Sequence, residues 1–323
     1  MFTVTDLGTA ILFCVMTMLG WGSWANTQKL AGKDRWQFPL YYWDYAIGVL
    51  LLSIVFLFTL GSMGSSGMKA MDNLESASQS NMLQAAASGV IFNVSNILLV
   101  VAIDAAGMSV AFPVGVGLAL VIGTVASYVQ APKGNAMLLS AGVLLVVVAM
   151  VMSALAYRKL PRKGQGSAKG LVFAVVAGCL MGFFYPRLAG SISAEAGGLT
   201  PYTALFFFAI GLVLSNFAVN TIFMRTENVS YAQYFGGSAK LHSLGIAGGM
   251  IWMLALSFNI LASGVAGPAI SYALGQGATL VAAIWGVFIW REFRDAPAGT
   301  NTLIILMFAG YAAGLALIGA ATL

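Results

Sequence analysis

Long apolar runs dominate this chain of 323 residues and determine the solvent in which it folds. A helix that crosses the hydrocarbon core of a bilayer needs about 20 consecutive, mainly apolar residues. Only 8% of the residues are charged, whereas a water-soluble domain carries about a quarter. The sequence therefore predicts an all-α, polytopic membrane protein with ten membrane-spanning helices, near residues 6–31, 40–61, 81–104, 107–130, 135–156, 168–190, 201–224, 239–262, 267–290 and 299–321.

Basic residues are distributed unevenly between the two sides of these predicted spans. Twelve Lys and Arg residues follow the odd-numbered spans, and only Lys69, Lys133 and Arg187 lie on the opposite side. Basic residues concentrate in cytoplasmic loops of membrane proteins. We therefore expect both termini to lie outside the cytoplasm, with the odd-numbered loops inside it. The formal net charge of +5 then reflects topology, and no nucleic-acid partner is expected.

The two halves of the chain are similar in sequence when one is shifted by about 160 residues. Three pairs of segments align, namely 29–32 with 187–190, 46–48 with 209–211, and 107–121 with 267–281. Five helices per half is an odd number, so the second half enters the membrane from the opposite side. We expect a 5+5 inverted repeat, with residues 1–156 as the first half, 157–168 as a cytoplasmic linker and 169–323 as the second half.

Glycines recur within the aligned segments of spans 4 and 9. Gly115 and Gly117 align with Gly275 and Gly277. Small residues let helix backbones approach closely in membranes. We expect these four glycines to support helix packing and not to contact a solute.

Polar and aromatic side chains inside the spans are the candidates for a binding site. An unpaired polar group is costly in hydrocarbon, so such side chains bond a neighbouring helix or face a cavity. Amides and indoles suit an uncharged polar solute, since amides donate and accept hydrogen bonds and aromatic faces pack on rings. The alternative is structural, with amides joining helices and tryptophans marking the interface. The candidate solute-binding residues are Trp21, Trp24, Gln28, Asn93, Asn96, Tyr272 and Gln276.

Charged groups well inside the predicted spans are few. Asp44 lies about one turn into span 2 and Lys29 lies near the end of span 1, at the same predicted cytoplasmic depth. A buried carboxylate takes up a proton or pairs with a cation. We therefore expect an Asp44–Lys29 pair that couples protons and gates the inner end. The alternative is that Asp44 anchors span 2 through a static contact. His242, the single histidine, is more often structural at such a position.

Motifs of enzymes and ATP-driven pumps do not occur in the sequence. The chain has no GxxxxGK[ST], no HExxH and no GxSxG. Its two cysteines both fall in apolar runs, so no metal site and no cofactor is expected. The function classes that remain are a solute transporter, an efflux protein for lipophilic compounds, and a structural membrane protein with a sealed core.

Several motifs resemble those of the drug/metabolite transporter superfamily. They are GWGSW at 20–24 followed by Lys29, and the acidic Glu292 in WREF after span 9. Within that superfamily, YYWDYAIGVLLLSIVFLFTLGSMG at 41–64, Asn93–Asn96 and GMSVAFPVGVGLALVIGT from Gly107 are similar to plant ureide permeases. Bacterial glucose- and ribose-uptake proteins and the rhamnose–proton symporter are similar more loosely.

The resemblance implies proton-driven import of a small neutral polar metabolite by alternating access in a lipid bilayer. The resemblance does not decide whether the solute is a ureide or nucleobase, or a monosaccharide such as ribose or glucose. The alternative function is that of a drug/metabolite efflux protein of the same superfamily. We expect a bacterial inner (plasma) membrane as the location. Plant members carry a long central loop that is associated with nucleotide binding, and the short linker here carries no such expectation.

Overall fold

The computed structural model describes residues 1–32, 35–160 and 168–322. Within these ranges ten helical segments are long and apolar enough to cross a membrane, which confirms the predicted number. The spans, numbered 1 to 10 in chain order, are formed by helices Leu7–Ser23 with Ala25–Ala31, Phe38–Phe58, Gln79–Ala106, Met108–Gln130, Ala136–Arg158, Ala168–Gly190, Pro201–Thr226, Ala239–Ala266, Pro268–Gly275 with Ala278–Ile284 and the π-helix Trp285–Ile289, and Thr300–Ala320. The described elements include no named strand, and one isolated bridge joins Ile192 and Leu199.

Spans 1 and 9 are interrupted, which their apolar composition did not predict. The α-helix of span 1 is broken at Trp24, and that of span 9 is broken at Gln276 and Gly277. The two interrupted spans pack against each other. A side chain at Gly22 would come within 2.6 Å of the carbonyl oxygen of Ala278, so glycine is needed where they meet.

Two short helices lie outside the spans and were not predicted. The first short helix, Ala70–Ser76, follows span 2, and the second short helix, Tyr231–Phe235, precedes span 8. The first is fixed by Asn73, which donates to the carbonyl of Gly198 at 2.8 Å and accepts from the backbone of Thr200 at 2.8 Å. The second begins after the cap residue Ser230, and its Tyr234 contacts Asp44. It therefore packs at the end of the bundle where Lys29 and Asp44 lie, which we call the Lys29 end.

The helix packing follows a regular order. Span 3 packs against spans 6 and 7, and span 8 packs against spans 1 and 2. Span 4 packs against span 6, span 9 against span 1, and spans 5 and 10 against each other. The main apolar core is rich in aromatic residues and is formed by spans 2, 3, 6, 7 and 8, with Tyr272 of span 9. A second core joins spans 4, 5, 9 and 10 with span 1.

Glycines permit backbone contact at the two main helix crossings. At the crossing of spans 2 and 8, a Cβ on Gly48 would lie 2.1 Å from the carbonyl oxygen of Ile246. At the crossing of spans 3 and 7, a Cβ on Gly211 would lie 1.9 Å from that of Ala86. The expected packing role suits Gly115, whose carbonyl faces Gly178, but it is wrong for Gly117, whose Cβ would meet only Met150 at 3.9 Å.

Candidate functional site

A continuous aromatic cluster occupies the centre of the bundle. Its members come from spans 1, 2, 3, 6, 8 and 9 and are Trp21, Trp24, Tyr45, Phe92, Phe184, Tyr185, Trp252 and Tyr272. Trp252 connects several of them, because its ring centroid lies 4.3 Å from Phe92, 5.9 Å from Trp21 and 6.2 Å from Tyr45. Trp24 packs on Tyr45 at 5.0 Å. We call this set the central aromatic cluster.

Three hydrogen-bond donors in this cluster are buried without a partner among the described residues. They are the indole Nε1 of Trp21 and the hydroxyls of Tyr45 and Tyr185. A buried donor that makes no hydrogen bond costs about 1–3 kcal/mol. Trp21 and Trp24 are themselves only half-buried, so the cluster has an accessible rim along span 1. This combination of ring faces and unused donors can hold a polar ring-shaped solute.

The two asparagines of span 3 lie in different surroundings. Asn96 donates to the hydroxyl of Tyr42 at 3.2 Å, and the Tyr42 ring stacks on Tyr45 at 5.2 Å, so Asn96 borders the central cluster. Asn93 instead donates to Ser215 of span 7 at 2.9 Å, and its Oδ1 has no partner among the described residues. The structure therefore brings Asn96 to the cluster and places Asn93 between spans 3 and 7.

The candidate residues of span 9 also separate. Tyr272 is buried in the cluster, with its hydroxyl donating to the carbonyl of Ala119 at 3.2 Å. Gln276 is partly exposed at the break of span 9, where its carbonyl accepts from Thr279 at 2.9 Å. Gln28 is half-buried in the second helix of span 1. Trp21, Trp24, Asn96 and Tyr272 thus lie at or beside one cluster, while no side-chain hydrogen bond among the described residues joins Gln28 or Gln276 to it.

Asp44 is enclosed at the Lys29 end by three donors. Its side chain is 1% exposed and accepts from Trp36 Nε1 at 3.1 Å and from the Tyr234 hydroxyl at 2.8 Å, while His242 Nδ1 lies 2.7 Å away. Burial, and then the Asp44 carboxylate, raise the pKa of the Tyr234 hydroxyl, so Tyr234 stays a donor. These four residues form the Asp44 cluster.

The expected pair of Asp44 with Lys29 is not formed. Lys29 Nζ instead lies 2.7 Å from Glu292 Oε1 and 4.2 Å from the centroid of the Trp290 ring. Glu292 also accepts from the hydroxyl of Tyr157 at 2.7 Å. The pairing prediction failed because the chain before span 8 folds back as the second short helix and brings Tyr234 onto Asp44. Lys29 therefore joins spans 1 and 9 and not spans 1 and 2.

Several residues of these sites were missed by sequence reasoning. Trp252 and Tyr45 were not among the candidate solute-binding residues, and Trp36, Tyr234 and His242 were not connected with Asp44. One signal was available for the cluster, because Phe92 and Trp252 are separated by the repeat offset of 160. No comparable pattern links the members of the Asp44 cluster. Among the described residues no group of three or more His, Cys, Asp or Glu side chains suits a metal ion.

The known proteins that this chain resembles in sequence are membrane permeases. The family model named ureide permease matches residues 41–160. Ureide permease 4 of Arabidopsis thaliana is 23% identical, with 100% of this chain and 99% of that protein aligned. Ureide permease 1 of the same plant is 20% identical at the same coverage, and ureide permease 2 is 28% identical over 49% of this chain and 41% of its own length.

A protein of known crystal structure has the same arrangement of helices. It superimposes with a TM-score of 0.60 at 16% sequence identity, covering 97% of this chain and 98% of that protein. Likeness at this identity concerns the fold alone. The sequence comparisons are with permeases and not with enzymes, in agreement with the motifs of spans 1 to 4: this chain resembles the plant ureide permeases, and the two long alignments extend over its whole length.

Proposed function

We propose that this protein is a secondary transporter that imports a small neutral polar metabolite together with protons. The single observation that carries the proposal is the set of buried donors on the central aromatic cluster, Trp21 Nε1 and the hydroxyls of Tyr45 and Tyr185, which have no partner among the described residues. A solute that accepts hydrogen bonds would give them one. The resemblance to permeases along the whole chain supports a transport role for that solute.

The chemistry of the cluster favours a flat, carbonyl-bearing solute. The indole N–H of Trp21 only donates, so its partner on the solute must be an acceptor. Aromatic faces pack well on planar heterocycles. Ureides and nucleobases combine these two properties, and the matched plant proteins are named ureide permeases. We therefore rank ureides and nucleobases above monosaccharides as the candidate transported solutes.

The experiment that tests this order is a thermal-shift screen of the purified protein against ureides, nucleobases, nucleosides and monosaccharides. A ligand that binds only the folded state raises the melting temperature. We expect the largest shifts from ureides or nucleobases. If only monosaccharides raise the melting temperature, the solute is a monosaccharide and the proposed solute class is wrong. If no compound raises it, a binding site for these solutes is contradicted.

Replacing Tyr45 with Phe separates a solute site from a structural contact. The hydroxyl has no partner in the part of the chain that the structure describes, so its loss is expected to leave the melting temperature unchanged or slightly raised. Solute binding is expected to weaken by about 1–3 kcal/mol, because a hydrogen bond to the solute is lost. Binding is measured by titration of the best ligand from the screen.

The matched control is Tyr42→Phe. The Tyr42 hydroxyl accepts from Asn96, so its removal leaves a buried amide donor unsatisfied and lowers stability. A Tyr45→Phe protein that is destabilised as much as Tyr42→Phe, with unchanged affinity, would contradict the proposed role of Tyr45.

We infer that the two halves form the predicted inverted repeat, 1–156 and 169–323, and three geometric features support this. Gly107 and Gly267, 160 positions apart, end spans 3 and 8 with φ values of +82° and +90°. The crossing of spans 2 and 8 corresponds to that of spans 7 and 3, with Gly48 aligned with Gly211. Ser78 and Ser238, also 160 apart, precede spans 3 and 8 as cap residues.

In this arrangement the interrupted spans 1 and 9 supply the gate at the Lys29 end. Broken helices at substrate sites are a recurrent feature of transporters built from inverted repeats. The Lys29–Glu292 pair and the bond from Trp290 Nε1 to Asn26 Oδ1 at 2.7 Å hold spans 1 and 9 together. The ion pair is partly exposed, so it contributes at most about 1 kcal/mol and can open during transport.

We propose that the Lys29 end faces the cytoplasm and that the membrane is a bacterial inner membrane; the excess of basic residues after the odd-numbered spans supports this orientation. Three of the twelve basic residues that follow the odd-numbered spans lie outside the described residues, namely Lys33, Arg162 and Lys163. The same holds for most of the 157–168 linker.

Single cysteines test this orientation in a variant without Cys14 and Cys179. A cysteine at the exposed position of Ser65 is expected to react with a membrane-impermeant thiol reagent in intact cells. One at the exposed position of Arg158 is expected to react only after permeabilisation. The reverse labelling pattern would invert the topology and move the Lys29 gate to the outside.

A further inference from the structure

A surface cavity of about 400 Å³ opens at the Lys29 end beside the Asp44 cluster. Its lining includes Arg35, Trp36, Gln37, Gly237 and Ser238, which precede or begin spans 2 and 8. The cavity therefore lies beside the Asp44 cluster. One of its lining residues, Trp36, donates to Asp44, and another, Gly237, is adjacent to His242.

His242 connects this cavity with the buried carboxylate. Its side chain is 25% exposed, whereas that of Asp44 is 1% exposed. Its Nδ1 lies 2.7 Å from Asp44 Oδ1, and its Nε2 faces Gly237, where a Cβ would lie 2.7 Å from it. Any larger residue at 237 would cover Nε2 and overlap the Trp36 ring. Gly237 itself lines the cavity, and its lack of a side chain leaves the outer nitrogen of the imidazole uncovered at this position.

The hydrogen bonds determine which imidazole nitrogen carries the proton in the neutral state. Asp44 accepts from Trp36 Nε1, which only donates, and from the Tyr234 hydroxyl, so its carboxylate acts as an acceptor. Nδ1 of His242 therefore donates to Asp44 Oδ1. The lone pair is left on Nε2, on the side of the cavity.

We propose that His242 carries the transported proton at Nε2, with Asp44 as its buried counter-ion and the cavity at Arg35 and Gly237 as the route by which the proton reaches water at the Lys29 end. The inference rests on proton-coupled transport as the function. On release, a water in the cavity takes the proton from Nε2 and becomes hydronium, and Nε2 regains its lone pair. Nδ1–H stays bonded to Asp44, whose charge balances the imidazolium before release. No other group changes its bonding in this step.

The surrounding groups are consistent with this role. From span 2, Tyr41 lies beside Asp44; from the second short helix, Tyr234 donates to it; and Arg35 lines the cavity. Tyr41 also shares a 2.7 Å hydrogen bond with Thr27 in the second helix of span 1. Tyr41 thus connects the surroundings of Asp44 with span 1, which carries Trp21, Trp24 and Lys29.

The presence of a single histidine makes a direct experiment possible. The full chain, labelled with ¹³C,¹⁵N-histidine and freed of any histidine tag, gives one set of imidazole NMR signals in lipid nanodiscs. We expect Nε2 to be the unprotonated nitrogen of the neutral form, and the signals to change reversibly to those of an imidazolium when the medium is acidified. Signals that do not change with pH, or a neutral form protonated at Nε2, would overturn the proposal.

The transport arm uses His242→Gln, since Gln can still donate to Asp44 but cannot carry the proton. Proteoliposomes are loaded with a pH-sensitive dye and given allantoin or uracil as probes. We expect solute-dependent proton entry to fall at least tenfold, with counterflow exchange of the probe kept within twofold of wild type. Proton entry at the wild-type level, with the same pH profile, would overturn the role of His242.

The two arms separate the inference from the function on which it rests. If the wild-type protein moves no solute while His242 titrates as described, the transport proposal is wrong and the proton site stands. If the wild-type protein accumulates solute but the histidine signals do not titrate, transport stands and this inference is rejected. Lys240→Gln, an exposed change in the same turn of span 8, is the control and is expected to behave as wild type in both arms.

Discussion

Replacing Asp44 with Asn is expected to abolish accumulation of the solute against a gradient while leaving solute exchange nearly intact. The Asp44 carboxylate supplies the negative charge that stabilises a protonated His242 2.7 Å away. Asn has a similar shape but no charge. We expect gradient-driven uptake in proteoliposomes to fall to the level set by equilibration, at least a tenfold loss, while counterflow stays within about twofold.

The hydrogen bonds around position 44 allow the Asn variant to fold. The amide oxygen can accept from Trp36 Nε1, while the amide nitrogen donates to Tyr234 and to His242 in its other tautomer. Leu at the same position leaves three donors unsatisfied and is expected to lower stability by at least 3 kcal/mol, an order-of-magnitude figure. The pair of variants therefore separates loss of charge from loss of structure.

The control for this comparison is Glu227→Gln, which removes an exposed carboxylate at the same end of the bundle. It is expected to leave accumulation and melting temperature unchanged. Normal accumulation in Asp44→Asn, with the wild-type pH dependence, would remove Asp44 from the coupling mechanism and leave it as an anchor of span 2.

Replacing Gly211 with Ala is expected to be strongly destabilising. The added methyl carbon would lie 1.9 Å from the carbonyl oxygen of Ala86, so spans 3 and 7 have to separate along their crossing. Overpacking costs about 1–3 kcal/mol, and more where backbone must move. We expect a loss of about 3 kcal/mol in the free energy of unfolding. Gly249→Ala, 2.0 Å from the carbonyl oxygen of Tyr45, is expected to cost a similar amount.

Gly117→Ala is the matched control, because it also lies in a buried helix but its Cβ would meet only Met150 at 3.9 Å. Alanine favours the helix over glycine by about 0.5–1 kcal/mol, so this variant is expected to be as stable as wild type or slightly more stable. Denaturant unfolding in detergent measures all three. Equal stability of the Gly211 and Gly117 variants would contradict the close helix crossing.

The number of spans was predictable because hydrocarbon imposes a length of about 20 apolar residues on each. The breaks at Trp24 and Gln276 were not, since no proline lies within residues 7–31 or 269–290 to signal them. The segment GWGSW at 20–24 contains the aromatic candidates of span 1, Trp21 and Trp24, and both lie in the central aromatic cluster. The sequence does not distinguish Asn96, which borders the central aromatic cluster, from Asn93, which bonds span 7, because both are asparagines of the same span.

The Asp44 cluster illustrates what sequence patterns miss. Trp36, Tyr234 and His242 come from a connection, a five-residue helix and the start of span 8, and their meeting depends on how the chain folds between spans 7 and 8. Equal membrane depth suggested Lys29 as the partner, because depth is readable from the sequence and direction around the bundle is not. The contact of Lys29 with Glu292 depends on that direction.

Uptake by proteoliposomes with an imposed inward proton gradient is the most direct measurement of the central claim. The protein is reconstituted alone, and radiolabelled allantoin, uracil and glucose are offered separately. We predict that allantoin or uracil accumulates above its external concentration, that a protonophore abolishes the accumulation, and that Tyr45→Phe raises the concentration needed for half-maximal uptake. Uptake of none of these solutes, or accumulation that persists with the protonophore present, would contradict the account.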